Sequence, residues 1–284
     1  MPLPWHSDFA ERAPAFAPLR AAARELRGPE WPTRDDFNRM LGERETPVLN
    51  ASGQALRFVG QAVRQRAFED KYEPRIFLRG EVQFRPGNWH DLFNALVWLA
   101  FPRAKAALNE RQFHALARRR AEGARNRGPL QDALTLFDEG GVIVATSDLA
   151  LHGLLASHAW KDLFWRRRAE VAVHVRFHLF GHALYEKMLQ PFVGVTGRAI
   201  ACEVAADFFA LPPARQLNEL DRQLAARFAD AARAMAAREL AAVPLLGIPG
   251  WCLDNAREEY YDNTAYFRPP PGGVSVRRRA HPGA

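Results

Sequence analysis

A strongly apolar helix beginning near Asn88 is the feature that most limits how this chain can fold. At 100° per residue, one broad arc of the stretch Trp89–Ala100 carries only apolar side chains, so that face must be buried. The opposite arc carries Asn88, His90, Asp91 and Asn94, with Trp98 among them. This polar arc has no lysine, arginine or glutamate, which is more typical of a cleft lining than of a face turned to bulk water.

Helix capping explains part of this polar arc. Pro86-Gly87 ends the preceding segment, Asn88 is a good N-cap, and Asp91 stands where a capping box and the helix dipole favour an acid. Capping does not explain His90 or Asn94. The arc is therefore either a functional surface or a merely solvated one, and the sequence leaves both interpretations open.

Length and composition indicate a globular protein. The 284 residues are enough for one large domain or two small ones, and the 48% hydrophobic content excludes a disordered chain. The two cysteines, Cys202 and Cys252, exclude a disulfide framework and a cysteine-rich zinc site, and they fit a reducing compartment. With no secretory signal and no apolar run of membrane-spanning length, we expect a cytoplasmic protein without a membrane partner.

The net charge of +7 favours anionic partners. Lysine occurs only four times, however, so nearly all of the positive charge comes from arginine. Arginine occurs together with abundant alanine, as in residues 118–121 and 231–234, which indicates a composition bias of the source genome. Basicity alone is thus weak support for nucleic-acid binding.

Three regions are expected along the chain: a helical N-terminal arm over residues 1–45, an α+β domain over 46–268, and a disordered basic tail over 269–284. The domain is predicted to be a single α+β unit. It would hold an antiparallel or mixed sheet, with helices packed on the sheet and a C-terminal arm wrapping it. Trp5 and Trp31 are expected to anchor the N-terminal arm.

Hydrophobic periodicity assigns the main elements of this domain. Strands are predicted over Arg75–Phe84 and Glu170–Leu179, and hairpins over residues 46–62 and Asp132–Thr146, the second turning at Asp138–Gly141. Helices are predicted over Arg103–Arg120, Asp148–Arg167 with Ser147 as N-cap, His182–Leu189, Arg198–Ala210 and Ala214–Ala242. Both arms of the second hairpin are apolar on both faces, so we expect it at the centre of the sheet.

One pair of residues suggests chemistry by its spacing. His182 and Glu186 are four residues apart at the start of a helix, where they can share a metal ion or form an acid–base pair. The spacing is not the His-Glu-x-x-His pair of zinc proteases. The alternative is a histidine at a helix start with an exposed glutamate.

Other patterns point less clearly to a site. His174, Arg176 and His178 share one strand face, which favours a half-exposed surface over an anion site. Asp138-Glu139 before two glycines is typical of a turn. The chain has no Walker A loop, no Gly-x-Gly-x-x-Gly after a strand, no Gly-x-Ser-x-Gly elbow and no Cys-x-x-Cys, which argues against the cofactors and nucleophiles that those motifs serve.

Three separated blocks, residues 88–96, 133–140 and 180–186, agree in order with one known family. On these blocks the chain resembles the bacterial domain-of-unknown-function family 3025, found mainly in proteobacteria, over nearly its whole length up to about residue 269. The resemblance implies one soluble bacterial domain. It implies no activity and transfers no catalytic residue.

The leading hypothesis is a hydrolase or transferase acting on a polar or anionic small molecule. Its site would form where the helix from Asn88 meets the helix from His182, with acid–base groups or ligands of a divalent metal supplied by His90, Asp91, Asn94, His182 and Glu186. One alternative is a nucleic-acid-binding module that uses the arginines of 103–120, 166–168 and 277–279. Another is a non-catalytic scaffold. The sequence does not indicate the substrate, the metal or the oligomeric state.

Overall fold

A mixed sheet and a separate strand pair are set among helices. The computed structural model describes residues 3–61, 67–124, 126–233 and 235–269. Its strands are β1 (Arg57–Val59), β2 (Glu81–Gln83), β3 (Gly141–Thr146), β4 (Val175–Leu179), β5 (Thr196–Glu203) and β6 (Ala241–Pro244). Its α-helices are α1 (Arg20–Arg24), α2 (Arg34–Gly42), α3 (Tyr72–Arg79), α4 (Trp89–Ala100), α5 (Pro102–Ala121), α6 (Pro129–Gly140), α7 (Leu149–Ala156), α8 (Arg168–His174), α9 (His182–Leu189) and α10 (Pro213–Ala229). The predicted α+β class with a mixed sheet is confirmed.

The four-stranded sheet has the order β4-β3-β5-β6. β3 runs antiparallel to β4 and parallel to β5, while β5 and β6 are antiparallel. Every residue of β3 is buried, as its apolar sequence requires of a strand covered on both faces. The central position predicted for the apolar run that follows Gly141 is therefore confirmed.

Helix α4 passes through the interior of the protein. Asn88 caps it by accepting the Asp91 amide at 3.0 Å, as the sequence predicts. Every residue from Asp91 to Leu99 is buried, so the polar arc of this helix is not a solvated face. The tryptophans of the N-terminal arm pack on the start of α4, with the ring centres of Trp5 and Trp31 lying 5.3 Å and 5.0 Å from that of Trp89. They anchor the arm, as expected.

The predicted hairpin over Asp132–Thr146 is wrong in its first arm, which is helix α6. Pro129 stands at the first helical position, and the amide of Gly128 donates to the Gln131 side chain at 3.2 Å, which closes the helix start. Gly141 has an extended backbone with φ −71°, not the positive φ of a primed turn. Its missing side chain matters for another reason, because a Cβ there would lie 2.4 Å from the Phe137 carbonyl oxygen.

The predicted strand over Arg75–Phe84 is also wrong, except at its end. Residues 72–79 form helix α3, which stops at Gly80 in the left-handed conformation (φ +68°), and only β2 is extended. The parallel pairing of β1 with β2 accounts for this helix, because parallel neighbours need a crossover connection. Within the predicted hairpin over residues 46–62, Leu49 and Ala55 form one antiparallel bridge, but β1 pairs with β2 instead.

Four further expectations need correction. Residues 198–203 belong to strand β5 and not to a helix, because small side chains let this segment lie between β3 and β6. The helix predicted over Asp148–Arg167 is α7, capped by Asp148 instead of Ser147, followed by a π-helical turn at Asp162–Arg166. Residues 170–174 of the strand predicted over Glu170–Leu179 are helical and belong to α8. The last helix ends at Ala229.

Within the described ranges, no helix combines the length and the hydropathy needed to cross a membrane. The tail predicted over residues 269–284 lies, from residue 270 onwards, outside the described residues. The domain boundaries and the cytoplasmic location stay predictions.

Replacing Gly80 by alanine should destabilise the fold more than the same change at Gly87. Both glycines have positive φ, +68° and +71°, so both variants carry the left-handed strain of about 1–2 kcal/mol. Only at Gly80 would the new Cβ meet backbone, 2.2 Å from the Ala55 carbonyl oxygen, whereas nothing lies within 4 Å at Gly87. Urea unfolding should show a larger loss for Gly80→Ala, and equal losses would contradict the described contact.

Candidate metal centre

Three helix ends bring two imidazoles and a carboxylate to one point. His90 lies in the first turn of α4, His182 begins α9, and Glu139 is next to last in α6. His90 Nε2 lies 3.0 Å from His182 Nε2 and 4.0 Å from Glu139 Oε2, and His182 Nε2 lies 3.5 Å from the same oxygen. These three side chains form a group that could hold a metal ion.

Strand register places two of these groups opposite each other. In the antiparallel pair, Val142 of β3 faces Leu179 of β4. Glu139 precedes Val142 by three residues and His182 follows Leu179 by three, so the two side chains meet just beyond the end of the ladder. Gly181 permits the close approach, because its amide donates to the Gly141 carbonyl at 2.9 Å.

The separations of the three donor atoms fit one shared ion. A triangle with sides of 3.0, 3.5 and 4.0 Å has a centre about 2.1 Å from each corner, and zinc binds imidazole nitrogen and carboxylate oxygen at about 2.0–2.2 Å. Two histidines and one acid are also a recurrent ligand set of catalytic zinc. The distances are therefore compatible with three ligands of one ion, which would lie close to the plane of the three atoms.

The other ring nitrogens of the two histidines face acids. His90 Nδ1 lies 3.4 Å from Glu186 Oε2, and His182 Nδ1 lies 3.7 Å from Asp138 Oδ2. A proton on each Nδ1 would point towards these acids and would leave a lone pair on each Nε2, although His182 Nδ1 lies too far from Asp138 for a hydrogen bond. In this tautomer three acceptors converge, the two Nε2 atoms and Glu139 Oε2, and a bound cation would satisfy all three. With a proton on one Nε2, the two rings are instead joined by a hydrogen bond of 3.0 Å.

Burial keeps the histidine in the form that a metal requires. Burial lowers the pKa of His182 to about 3, against the opposing effect of the Asp138 charge, so its ring is neutral at physiological pH. Burial also raises the pKa of Glu139, with the charge on His90 acting in the opposite direction. A neutral imidazole and a carboxylate that gains from a nearby positive charge are both suited to metal binding.

A buried ion pair lies next to the candidate centre, on the His182 side. Lys105 Nζ lies 2.6 Å from Asp138 Oδ1, and the two side chains are only 3% and 9% exposed. Burial alone would raise the pKa of Asp138, but the charge and hydrogen bond of Lys105 hold it below its ordinary value. Asp138 thus stays ionised beside His182, as an acid behind a metal-bound imidazole commonly is.

The centre opens into a polar cavity of about 380 Å³. Amide, hydroxyl and charged side chains form most of its wall, and Tyr72 and Glu73 at the start of α3 belong to it. Burial raises the pKa of Glu73 to about 7, and the negative charge of Asp138 acts in the same direction. Asn109 holds this carboxyl group through a hydrogen bond. Glu73 is therefore able to exchange a proton near neutrality.

The structure brings together most of the predicted site residues. His90 and His182 belong to the centre, and Glu186 contacts His90, not the His182 with which its spacing had paired it. Asn94 lies in the cavity wall. Asp91 also borders the cavity, but its carboxylate is held by the backbone amide and guanidinium of Arg85, each at 2.8 Å. Their catalytic roles stay a prediction.

Sequence reasoning missed Glu139, Asp138, Lys105, Tyr72 and Glu73. The two acids were assigned to a hairpin turn, which is wrong because they end helix α6. Lys105 lies in the helix predicted over Arg103–Arg120, and its burial is not evident from that prediction. Its rarity was a signal: in a chain where arginine supplies nearly all positive charge, a lysine within a mostly apolar helical turn is unusual.

The other candidate groups do not join this centre. His174 Nδ1 contacts the Ser147 hydroxyl at 3.1 Å, Arg176 donates to backbone carbonyls, and burial lowers the pKa of His178 to about 4. Arg166 and Arg167 pair with acids on their own turns. These arginines are engaged within the chain, and the arginines at 277–279 lie outside the described residues.

A family model described as "Protein of unknown function (DUF3025)" matches residues 56–270, more than half of the chain. The chain belongs to the DUF3025 family. The match starts after the N-terminal arm, and it covers all three ligands of the candidate metal centre. Neither the search of curated proteins nor the search of solved structures found a match. The DUF3025 assignment therefore names no activity, and the geometry of the site must carry any proposal.

Replacing Gly181 by alanine should push α9 away from α6. A Cβ at this position would lie 2.4 Å from the Glu139 carbonyl oxygen and 2.4 Å from the Gly141 amide nitrogen, both of them backbone atoms. We expect Gly181→Ala to lower the free energy of unfolding by about 1–3 kcal/mol, as overpacking does. Gly140→Ala is the matched control, because nothing lies within 4 Å there. Thermal unfolding of both variants measures the difference, and a stable Gly181→Ala protein would contradict the contact.

The pH dependence of stability should report the raised pKa of Glu73. Unfolded Glu73 releases its proton near pH 4.5, whereas the folded protein retains it up to about pH 7. Over that window the folded state binds more protons, so wild-type stability should fall with rising pH relative to Glu73→Gln, by up to about 3 kcal/mol. Urea unfolding of both proteins between pH 4.5 and 8 measures this. A difference that stays flat would show that folded Glu73 is already ionised.

Proposed function

We propose that this DUF3025 protein is a hydrolase that works with one divalent metal ion, held by His90, Glu139 and His182. The observation that carries the proposal is the convergence of three lone-pair atoms around a point about 2.1 Å from each. A helix cap or a core contact would not place three acceptors together.

Zinc is the ion that this set of ligands suits best. Three protein ligands leave a coordination position open towards the cavity, as in catalytic zinc sites and unlike closed structural ones. Fe²⁺ accepts two histidines and a carboxylate as well, so the metal content has to be measured. The outer contacts of Glu186 and Asp138 agree with a metal centre, because acids behind metal-bound imidazoles fix the ring orientation.

The chain around the centre supplies the other requirements of hydrolysis. Bound zinc would lower the pKa of a coordinated water to about 7. Glu73, in the same cavity and with a pKa of about 7, can accept a proton and return it to a leaving group. The polar wall binds a small polar molecule, and Arg127 at this wall allows it to be anionic. The proposed substrate is therefore a polar or anionic small molecule, the class that the sequence predicts.

Metal binding tests the proposal directly. We expect the purified protein to bind Zn²⁺ tightly, and we expect His90→Ala and Glu139→Gln to weaken binding by at least about 100-fold. Glu186→Gln should weaken it by about tenfold, because outer contacts contribute less. His114→Ala, at an exposed site on α5, is the matched control and should bind like wild type. Competition with a chromophoric chelator measures the affinities, and elemental analysis identifies the native metal.

His90 and Glu139 can be replaced with little effect on folding. The side chains of His90 and Glu139 are 35% and 43% exposed, so their replacement should leave the fold intact. Hydrolysis of p-nitrophenyl acetate and p-nitrophenyl phosphate should then depend on added metal and be lost in Glu139→Gln. A wild-type protein that binds no divalent metal would refute the proposal, as would ligand variants that bind as tightly as wild type.

A further inference from the structure

The orientation of the Tyr72 hydroxyl is fixed by a chain of buried polar groups. We propose that Tyr72 donates a hydrogen bond from its hydroxyl group to an oxygen atom of the substrate bound at the metal centre. Tyr72 would then be a catalytic residue, and Asn94 and Lys105 would be the residues that position it. This inference rests on the proposed function, because it places the substrate at that metal.

This series of hydrogen bonds begins at Lys105, whose ammonium group can only donate. Lys105 Nζ lies 3.0 Å from one end of the Asn94 side chain, and an ammonium has no lone pair to accept a hydrogen bond. The Asn94 atom at that end must therefore be the carbonyl oxygen. The other end of the amide is then its NH₂ group. Asn94 is buried, so no exchange with solvent relaxes this assignment.

The direction of the next hydrogen bond follows. Asn94 Nδ2 lies 2.7 Å from the Tyr72 hydroxyl oxygen, and an amide nitrogen cannot accept. Tyr72 must accept this hydrogen bond, so its own proton is not used by Asn94. Among the described residues, no acceptor takes that proton, while the Tyr72 side chain borders the cavity. Burial raises the pKa of Tyr72 well above its ordinary value, so the proton is retained at neutral pH.

Tyr72 is linked to the proposed metal ligands through helix α4 and through the cavity. Asn94 follows His90 by one helical turn on α4, which sets their side chains about 5–6 Å apart on the same face. Tyr72, His90 and His182 all border the one cavity. A molecule coordinated at the metal would therefore share this cavity with the Tyr72 side chain.

A single neutral hydrogen-bond donor limits which functional group the substrate can carry. A hydroxyl proton beside a metal stabilises an oxygen on which negative charge develops, as an oxyanion hole does. The substrate should thus carry a carbonyl or a phosphoryl oxygen next to the bond that is broken. These two groups share the acceptor that Tyr72 needs, and they differ in charge and shape.

Probe binding to the Co²⁺-loaded protein tests the inference. The visible spectrum of bound Co²⁺ reports both metal loading and the arrival of a new ligand, and the probes are acetohydroxamate for the carbonyl group and inorganic phosphate for the phosphoryl group. Tyr72→Phe should weaken at least one probe by about tenfold, the usual effect of losing one hydrogen bond to a charged group, and leave Co²⁺ affinity unchanged. Tyr260→Phe removes a hydroxyl outside the cavity lining and should bind both probes like wild type.

A second variant keeps the tyrosine and reverses its hydrogen bond. In Asn94→Asp one carboxylate oxygen can remain with Lys105, while the other offers Tyr72 an acceptor and draws the proton away from the cavity. If Tyr72 positions the substrate, this variant should weaken the same probe as Tyr72→Phe does. If the contact were only structural, Asn94→Asp would strengthen it and leave probe binding unchanged.

The outcomes separate the two proposals. Loss of the same probe in both variants supports the inference, and the probe that is lost identifies carbonyl or phosphoryl recognition. Co²⁺ binding with wild-type probe affinities in both variants overturns the inference and leaves the metal centre standing. Co²⁺ binding without any binding of either probe to wild type also overturns it. Failure of wild type to bind Co²⁺ or Zn²⁺ overturns the proposed function, and this inference with it.

Discussion

The buried pair of Lys105 and Asp138 is the interaction on which the rest of the site depends. It joins α5 to α6 at a nitrogen–oxygen distance of 2.6 Å, and the lysine also lies against the ring of Trp98 on α4, 5.4 Å from its centre. Removing one partner of such a pair leaves a charge without water or counter-ion, at a cost of about 3–5 kcal/mol. The pair therefore fixes three helices and, through Asn94 and His182, the two sides of the cavity.

The helix that carries His90 could be predicted from sequence, as could the helix that starts at His182, because hydrophobic periodicity and helix starts are local signals. Glu139 could not be predicted, because Asp-Glu-Gly-Gly after apolar residues encodes a turn as well as a helix end. Only the packing of α6 against the sheet and α9 decides between these structures. The convergence of residues 90, 139 and 182 depends on tertiary structure: strand register brings residues 139 and 182 together, and the packing of α4 against α9 adds residue 90.

Two kinds of polar group lie around the cavity. Lys105, Asn94 and Asp91 each have partners that complete their hydrogen bonds, so their burial carries little penalty. With both ring protons on Nδ1, the three atoms of the candidate metal centre are all acceptors and do not complete one another. Groups of the first kind are satisfied by other groups of the protein, whereas those of the second kind would be satisfied by an ion bound from outside. This contrast separates the site from the other polar residues of α4 more sharply than the family match does.

The pairing of Val142 with Leu179 has a consequence for folding. A strand slipped by two residues keeps its apolar face but moves His182 by about 7 Å relative to Glu139, too far for one ion to bridge. An ion at this corner would thus bind the native alignment and not the slipped one. Its binding free energy would be added to the native state alone, as happens with any ligand that recognises only one conformation. Metal binding would then favour the native strand register over the slipped one. Without the metal, the protein would keep its secondary structure, but the preference for the native register would be weaker.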